Sequence, residues 1–186
     1  MSGANTETER RFLVRIARWA AAAPDAAREH LVQVYLAAEA ERTVRVRLAA
    51  GGAQLTVKGP SAGGTRTEIE CDIDPAAAQA IVDAGLFAGA PVTKTRSTIR
   101  IGSLVWEVDQ LEGGNAGLVI AEVEHRGDAE PLDEWDASVD RERPDWIGRE
   151  ITGEPKFSNS NLAVRPFASW PERDRESVLR EIEATE

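Results

Sequence analysis

The stretch TETERRFLV, Thr6 to Val14, places Glu7, Glu9 and Arg11 at alternate positions and then runs into Phe12, Leu13 and Val14. On an extended strand, residues i, i+2 and i+4 share a face. Two carboxylates and a guanidinium therefore stand side by side on one surface. A half-buried antiparallel strand with its polar face in water has this same pattern, so its meaning depends on the strands around it.

Eight segments read as strands: 6–14, 32–38, 43–49, 54–58, 66–73, 93–101, 103–110 and 117–125. Gly51-Gly52, Gly59-Pro60, Gly63-Gly64, Gly102 and Gly113-Gly114-Asn115 punctuate them, and the short spacings suit antiparallel hairpins. Most strands repeat the division of the first. Val44, Val46 and Leu48 oppose Arg45 and Arg47, and Leu55 and Val57 oppose Thr56 and Lys58. Lys94, Arg96, Thr98 and Arg100 align, Glu107 and Asp109 lie opposite Trp106 and Val108, and Glu122 and Glu124 lie opposite Val119, Ala121 and Val123.

Helical signals are fewer. DPAAAQAIVDAGL opens with Asp74 as an N-cap and Pro75 at the first helical position. RIARWAAAAPDAAREHL offers one or two helical turns on either side of Pro24. Residues 126–149 read as a loop with a short helix around Leu132–Trp135. The tail carries an apolar stripe of Trp170, Val178, Leu179 and Ile182, so the chain divides into a main domain, 1–166, and an appended amphipathic helix, 167–186.

At 186 residues, 42% hydrophobic and 29% charged, the chain can bury one core and reads as soluble and globular. A formal net charge of -10 argues against nucleic acid or an anionic membrane as the main partner, although a local basic pocket can persist inside an acidic protein. One cysteine, Cys71, rules out an internal disulfide and reads as a small core filler. With no signal peptide or spanning segment, the expected location is the cytoplasm. The tryptophans read as packing residues, Trp146 seating the C-terminal segment. His30 and His125 lack metal-site spacing, and no Ser-His-Asp set, Cys-His set or phosphate-binding glycine loop is discernible.

The charges are sorted by strand: Arg45, Arg47 and Lys58 are basic, whereas Glu107, Asp109, Glu122 and Glu124 are acidic. A solvated sheet gains little from such sorting. Eight antiparallel strands are enough to close a small barrel, and amphipathic helices can cover its apolar face from outside. The expected fold is therefore an α+β, β-dominated, closed eight-stranded antiparallel barrel with a charged lumen. Unpaired charges in a dry lumen are costly. The complementary ligand is a polyanion accompanied by divalent cations, with bases on the anion and carboxylates on the metal.

At these residues the chain resembles the CYTH family, the triphosphate tunnel metalloenzymes. ETERR (Glu7, Glu9, Arg11) resembles that family's E-x-E-x-K signature, with Arg in the last place. VYL at 34–36, RVRL at 45–48, TVKG at 56–59, KTR at 94–96, WEVD at 106–109 and LVIAEVE at 118–124 follow in family order. PDWIGREIT at 144–152 and PKFSN at 155–159 complete a resemblance covering about 6–166.

The resemblance implies a tunnel that binds a linear triphosphate with two Mg²⁺ or Mn²⁺ ions and hydrolyses a phosphoanhydride, tripolyphosphate first, with nucleoside or thiamine triphosphates as further substrates. Carried over by position, Glu7, Glu9, Glu122 and Glu124 are metal ligands, and Glu107 and Asp109 support the metal or the bases. Arg11, Arg45, Arg47, Lys58, Lys94 and Arg96 contact the triphosphate, and Tyr35, Lys94 and Glu7 act in catalysis. Glu68 and Glu70, sharing a face with Arg66, read as ion-pair partners of lumenal bases. Ser97 and Phe157 stand where the family often has tyrosines. Cyclisation of ATP, as in class IV adenylate cyclases, and non-catalytic polyphosphate or nucleotide binding are the alternatives, and a homodimer is compatible with the sequence.

Overall fold

Eight strands close into a barrel in the computed structural model, which describes residues 5–23, 26–39, 41–60, 65–125 and 131–184. They are β1 (Asn5–Val14), β2 (Ala27–Ala38), β3 (Thr43–Ala49), β4 (Gly52–Lys58), β5 (Thr65–Ile73), β6 (Ala88–Ile101), β7 (Leu104–Leu111) and β8 (Val119–His125). The pairing runs β5-β4-β3-β2-β6-β7-β8-β1 and returns through β1 to β5, with every pair antiparallel. The turn expected at Gly63-Gly64, the residues around Pro24 and Asp25, and the first part of the expected 126–149 loop lie outside the described residues, as do the first four and last two positions of the expected segments.

Closure puts the apolar faces outside, where helices cover them. Val46 of β3, Val34 of β2 and Ala53 of β4 pack beneath Ala78 of α2 (Pro75–Asp83; α1 is Ile16–Ala22). Asp74 caps α2 by accepting a hydrogen bond from the Ala76 amide at 3.0 Å. On the opposite flank Phe12 and Trp106 lie 5.7 Å apart between ring centroids, and Trp106 and Trp146 lie 5.8 Å apart. Trp135 and Val139 of α3 (Leu132–Arg141) and Val178 and Ile182 of α5 (Glu172–Glu183) join this core. Among the described residues no helix is long and apolar enough to cross a membrane, which says nothing about crossing by strands.

Several local expectations are corrected. The AREHL segment after Pro24 is not helical: Ala27 to Leu31 pair with Thr98 to Lys94 of β6, and that ladder overrides their helix propensity. The loop over 126–149 holds a ten-residue helix, α3, and a ninth strand, β9 (Ile147–Glu150). β9 pairs with Phe12 and Val14 along the edge of β1 that β5 leaves free. Cys71 is exposed on β5, because its outward face lies beyond the cover of α2. Trp146 packs edge-on against Trp19 of α1, at 4.8 Å, within the core cluster that also holds Val178 and Ile182 of the C-terminal helix, and Trp170 meets Phe157 and Phe167.

The inner face is charged over only part of its length. Leu13, Leu31, Val92, Leu111 and Ile120 share the strand face of the lumenal charges, and none exceeds 3% exposure. At this end α4 (Asn159–Val164) closes against β6 and β2. Gly89 of β6 has φ 72°, and a Cβ there would sit 2.2 Å from the Ala163 carbonyl oxygen. Gly113 has φ 58° with open space around it. Gly113→Ala is therefore expected to cost about 1 kcal/mol for the left-handed backbone alone, and Gly89→Ala about 3 kcal/mol or more, because overpacking against α4 adds to it. Equal shifts of the two variants in thermal denaturation would contradict this packing.

Candidate active site

Strand register builds the site. β1 and β8 place Arg11 opposite Glu122 and Glu9 opposite Glu124, and β7 sets Glu107 beside Glu122. β6 brings Arg96 beside Asp109. On the other wall Tyr35 lies opposite Arg45, Arg45 opposite Thr56, and Lys58 opposite Glu68. Of these side chains, all but Thr56 and Asp109 line a cavity of about 280 Å³. Twelve of the thirteen site residues expected from sequence line it: Glu7, Glu9, Arg11, Tyr35, Arg45, Arg47, Lys58, Lys94, Arg96, Glu107, Glu122 and Glu124.

Asp109 is the exception. It lies behind the wall, 2% exposed, where Oδ2 accepts from Lys94 Nζ at 2.5 Å and both oxygens accept from Arg96 at 2.7 Å. Burial pushes its carboxyl up, but Lys94 and Arg96 outweigh that and hold it below the usual range. Its place in the expected metal set is therefore better described as a brace for two lumenal cations. Burial works against the Lys94 ammonium, with Asp109 opposing it, and the net effect lowers the Lys94 pKa.

The remaining lumenal charges are mostly paired. Glu7 accepts from Lys58 Nζ at 2.7 Å and Arg66 Nε at 2.8 Å. Glu122 accepts from Arg11 Nε at 2.8 Å and Arg96 Nη2 at 3.2 Å. In both carboxylates burial favours the neutral acid, but the cations prevail and depress the pKa. Arg96 also bonds Glu107, Arg66 reaches Glu9 at 3.4 Å, and Arg45 lies between Thr56 at 2.8 Å and Glu70 at 3.3 Å. Burial raises Glu9, with Glu122 adding repulsion, and burial raises the Tyr35 hydroxyl. The Tyr35 hydroxyl is therefore neutral at physiological pH.

Glu124 differs from the others. It lines the cavity as an exposed residue and forms no ion pair among the described residues. Burial and then the Glu7, Glu68 and Glu107 charges raise its pKa to about 7. One carboxylate oxygen from each of Glu7, Glu68 and Glu124 lies within 4.8 Å of the others. Three hard oxygen donors at that separation could hold a metal ion.

Glu68 is the corner of this cluster that sequence reasoning gave only an ion-pairing role. It does meet Lys58 at 3.0 Å, and the alternation Arg66, Glu68, Glu70 already placed it on the inner face. Arg66, Glu70, Thr43, Val105 and Ser158–Ser160 also line the cavity. The serines come from the start of α4, which only tertiary structure brings to the barrel. Phe157 contributes its backbone, the carbonyl accepting from Arg11 Nη2 at 3.1 Å.

Known proteins resemble this chain in sequence and fold. The model of the CYTH domain matches residues 5–156. An inorganic triphosphatase from Acetivibrio thermocellus is 37% identical over 140 residues, spanning 75% of this chain and 83% of that protein. The crystal structure of the inorganic triphosphatase NE1496 superposes with a TM-score of 0.57 at 26% identity, covering 85% of this chain and 94% of that one. HpAC1 from Hippeastrum, described as an adenylyl cyclase candidate with dominant triphosphatase activity, shares the fold at 18% identity and a TM-score of 0.56, covering 87% and 94%. The chain belongs to the CYTH family.

Proposed function

We propose that this protein is a divalent-metal-dependent triphosphatase that hydrolyses a phosphoanhydride bond of linear triphosphates, with inorganic tripolyphosphate as the leading substrate. One observation carries this reading: the barrel encloses seven carboxylates (Glu7, Glu9, Glu68, Glu70, Glu107, Glu122, Glu124) facing seven cations (Arg11, Arg45, Arg47, Lys58, Arg66, Lys94, Arg96). The cations alone cannot neutralise a triphosphate, because the acids already consume their charge. A polyanion entering with divalent ions brings its own compensation. The inorganic triphosphatase at 37% identity supports the same substrate class.

Glu7, Glu68 and Glu124 would hold a first Mg²⁺ or Mn²⁺, and Glu9 and Glu122 lie beside them on β1 and β8 for a second. When bound, the ions supply Lewis acidity, offsetting phosphoryl charge and lowering the pKa of coordinated water. The chain's own residues position the substrate, which is most of what phosphoryl transfer asks of a protein. Arg45 and Arg47 on one wall and Arg96 and Lys94 on the other grip the phosphoryl oxygens. Asp109 fixes Lys94 and Arg96 in place, and the neutral Tyr35 hydroxyl donates a hydrogen bond as charge builds on the phosphoryl group. The packing of α5 beside β1 and β9 supports reading residues 167–186 as an extension of the same domain.

Phosphate release measured across tripolyphosphate, ATP and thiamine triphosphate, each with Mg²⁺, Mn²⁺ or EDTA, tests this function. Metal-dependent release fastest from tripolyphosphate is expected. Cyclic AMP as the main product from ATP, or tight binding of all three without turnover, would overturn it.

The carboxylate cluster also sets a pH dependence. Glu124, at about 7, is protonated below neutrality, so an incoming cation must displace that proton. Affinity for Mg²⁺ should rise with pH through about 7, and calorimetry near pH 6.5 in buffers of different ionisation enthalpy should report proton release on binding. No buffer dependence would contradict Glu124 as a ligand.

A further inference from the structure

Gln33 occupies the inner face of β2 between Leu31 and Tyr35; it is 0% exposed and, like Asp109, stands behind the residues that line the cavity. Register sets it opposite Arg47 on β3 and Val92 on β6, with Arg45 and Lys94 at the diagonal positions. Its Oε1 accepts from Arg45 Nη1 at 3.4 Å. Its Nε2, however, meets no acceptor among the described residues, and neither does Arg45 Nε. Burying such a donor without a partner forfeits its full hydration. The side chains nearest in register are Arg45, Arg47 and Lys94, which are donors themselves and cannot accept from it. An anionic oxygen is the acceptor that this setting lacks and a phosphoryl chain supplies.

We propose that Gln33 is a substrate-binding, specificity-determining residue, whose Nε2 donates to a phosphoryl oxygen of the triphosphate while its Oε1 steers Arg45 onto the same phosphoryl group. The proposal rests on the lumen being a triphosphate site. Arg45 links the amide to the cavity, because its guanidinium meets Gln33 Oε1 at 3.4 Å and also bonds Thr56 at 2.8 Å and Glu70 at 3.3 Å. Direct contact with the amide therefore requires Arg45 to shift when the anion binds. As a neutral donor among cations, Gln33 adds geometric selectivity without altering the lumenal charge balance.

Two substitutions separate direct contact from a purely bracing role. Gln33→Glu retains an acceptor for Arg45 but replaces the donor by a negative charge; Gln33→Met removes both at similar length. KM for tripolyphosphate with Mg²⁺ is expected to rise about 10-fold in Gln33→Met and further in Gln33→Glu, as for loss of a hydrogen bond to a charged acceptor, with a smaller change in kcat. Gln33→Glu with a wild-type KM would overturn the proposal, since bracing Arg45 would then be all that Gln33 does. The wild-type protein supplies an independent measurement should either variant fail to fold. The ¹⁵N carboxamide resonance of Gln33 is expected to shift when imidotriphosphate, whose imido bridges resist hydrolysis, is added with Mg²⁺, and an unchanged resonance would overturn the proposal. Absence of tripolyphosphate hydrolysis by wild-type protein would instead strike the underlying assignment of the lumen.

Discussion

Glu124→Gln is expected to lower kcat/KM for tripolyphosphate by more than about 100-fold, beyond the 10–100-fold that loss of an outer metal partner costs, while the protein stays folded. The reason lies in what each lumenal acid already does. Glu122 is engaged by Arg11 and Arg96, and Glu7 by Lys58 and Arg66. Glu124 has no such pair among the described residues and is repelled by Glu7, Glu68 and Glu107. Removing its charge relieves that repulsion, so metal-free Glu124→Gln at pH 8 should melt no lower than wild type, and its Mg²⁺-dependent rise in melting temperature should vanish. Glu122→Gln provides the contrast, because it breaks two ion pairs and should lower stability and turnover together. A Glu124→Gln enzyme with wild-type turnover would remove this carboxylate from the site.

Asp109→Ala should produce the largest loss of stability of any lumenal substitution. Lys94 is 1% exposed and Asp109 2%. Their pairing offsets the burial of both charges, and removing one partner of such a pair typically costs about 3–5 kcal/mol. For a domain of this size that lowers the melting temperature by roughly 6–20 °C. Lys94 would then favour its neutral form, and Arg96 would lose the carboxylate that fixes its planar fork. Combining Asp109→Leu with Lys94→Met should recover part of the lost stability, since apolar residues of similar volume tolerate burial, while Arg96 still lacks its Asp109 partner and turnover stays impaired. A stable, inactive double variant beside an unstable single one is the expected pattern in parallel melting and phosphate-release measurements. A single variant as stable as wild type would contradict the brace.

The barrel was legible because its strands carry their orientation in simple alternation. Glu7, Glu9 and Arg11, or Arg45 and Arg47, face one way by period, and the apolar residues between them must face the other. Closure followed from counting such strands and asking where their charged faces could go. Features that depend on distant pairing did not show. Ile147–Glu150 is only four residues long and becomes a strand because Phe12 and Val14 present a free edge more than a hundred residues earlier. Ala27–Leu31 favours helix by composition and is extended because β6 is there to pair with it. Alternation placed Asp109 on the inner face beside Glu107, but only register shows it closed off between Lys94 and Arg96. Glu68 was assigned its ion pair, but its proximity to Glu7 and Glu124 comes from β5 meeting β1 across the closure. The apolar end of the lumen, with Leu13, Leu31 and Ile120, continues the strand faces that begin as charged ones. Alternation alone does not reveal where along a strand the ligand space stops.

The most direct test of a lumenal triphosphate site is an anomalous difference map from crystals grown with Mn²⁺ and tripolyphosphate. A manganese peak among the Glu7, Glu68 and Glu124 oxygens is expected, with the phosphorus chain lying between Arg45 and Arg47 on one wall and Lys94 and Arg96 on the other. Manganese and polyphosphate bound only on the outer surface, with the lumenal ion pairs intact and hydrolysis still proceeding, would contradict it.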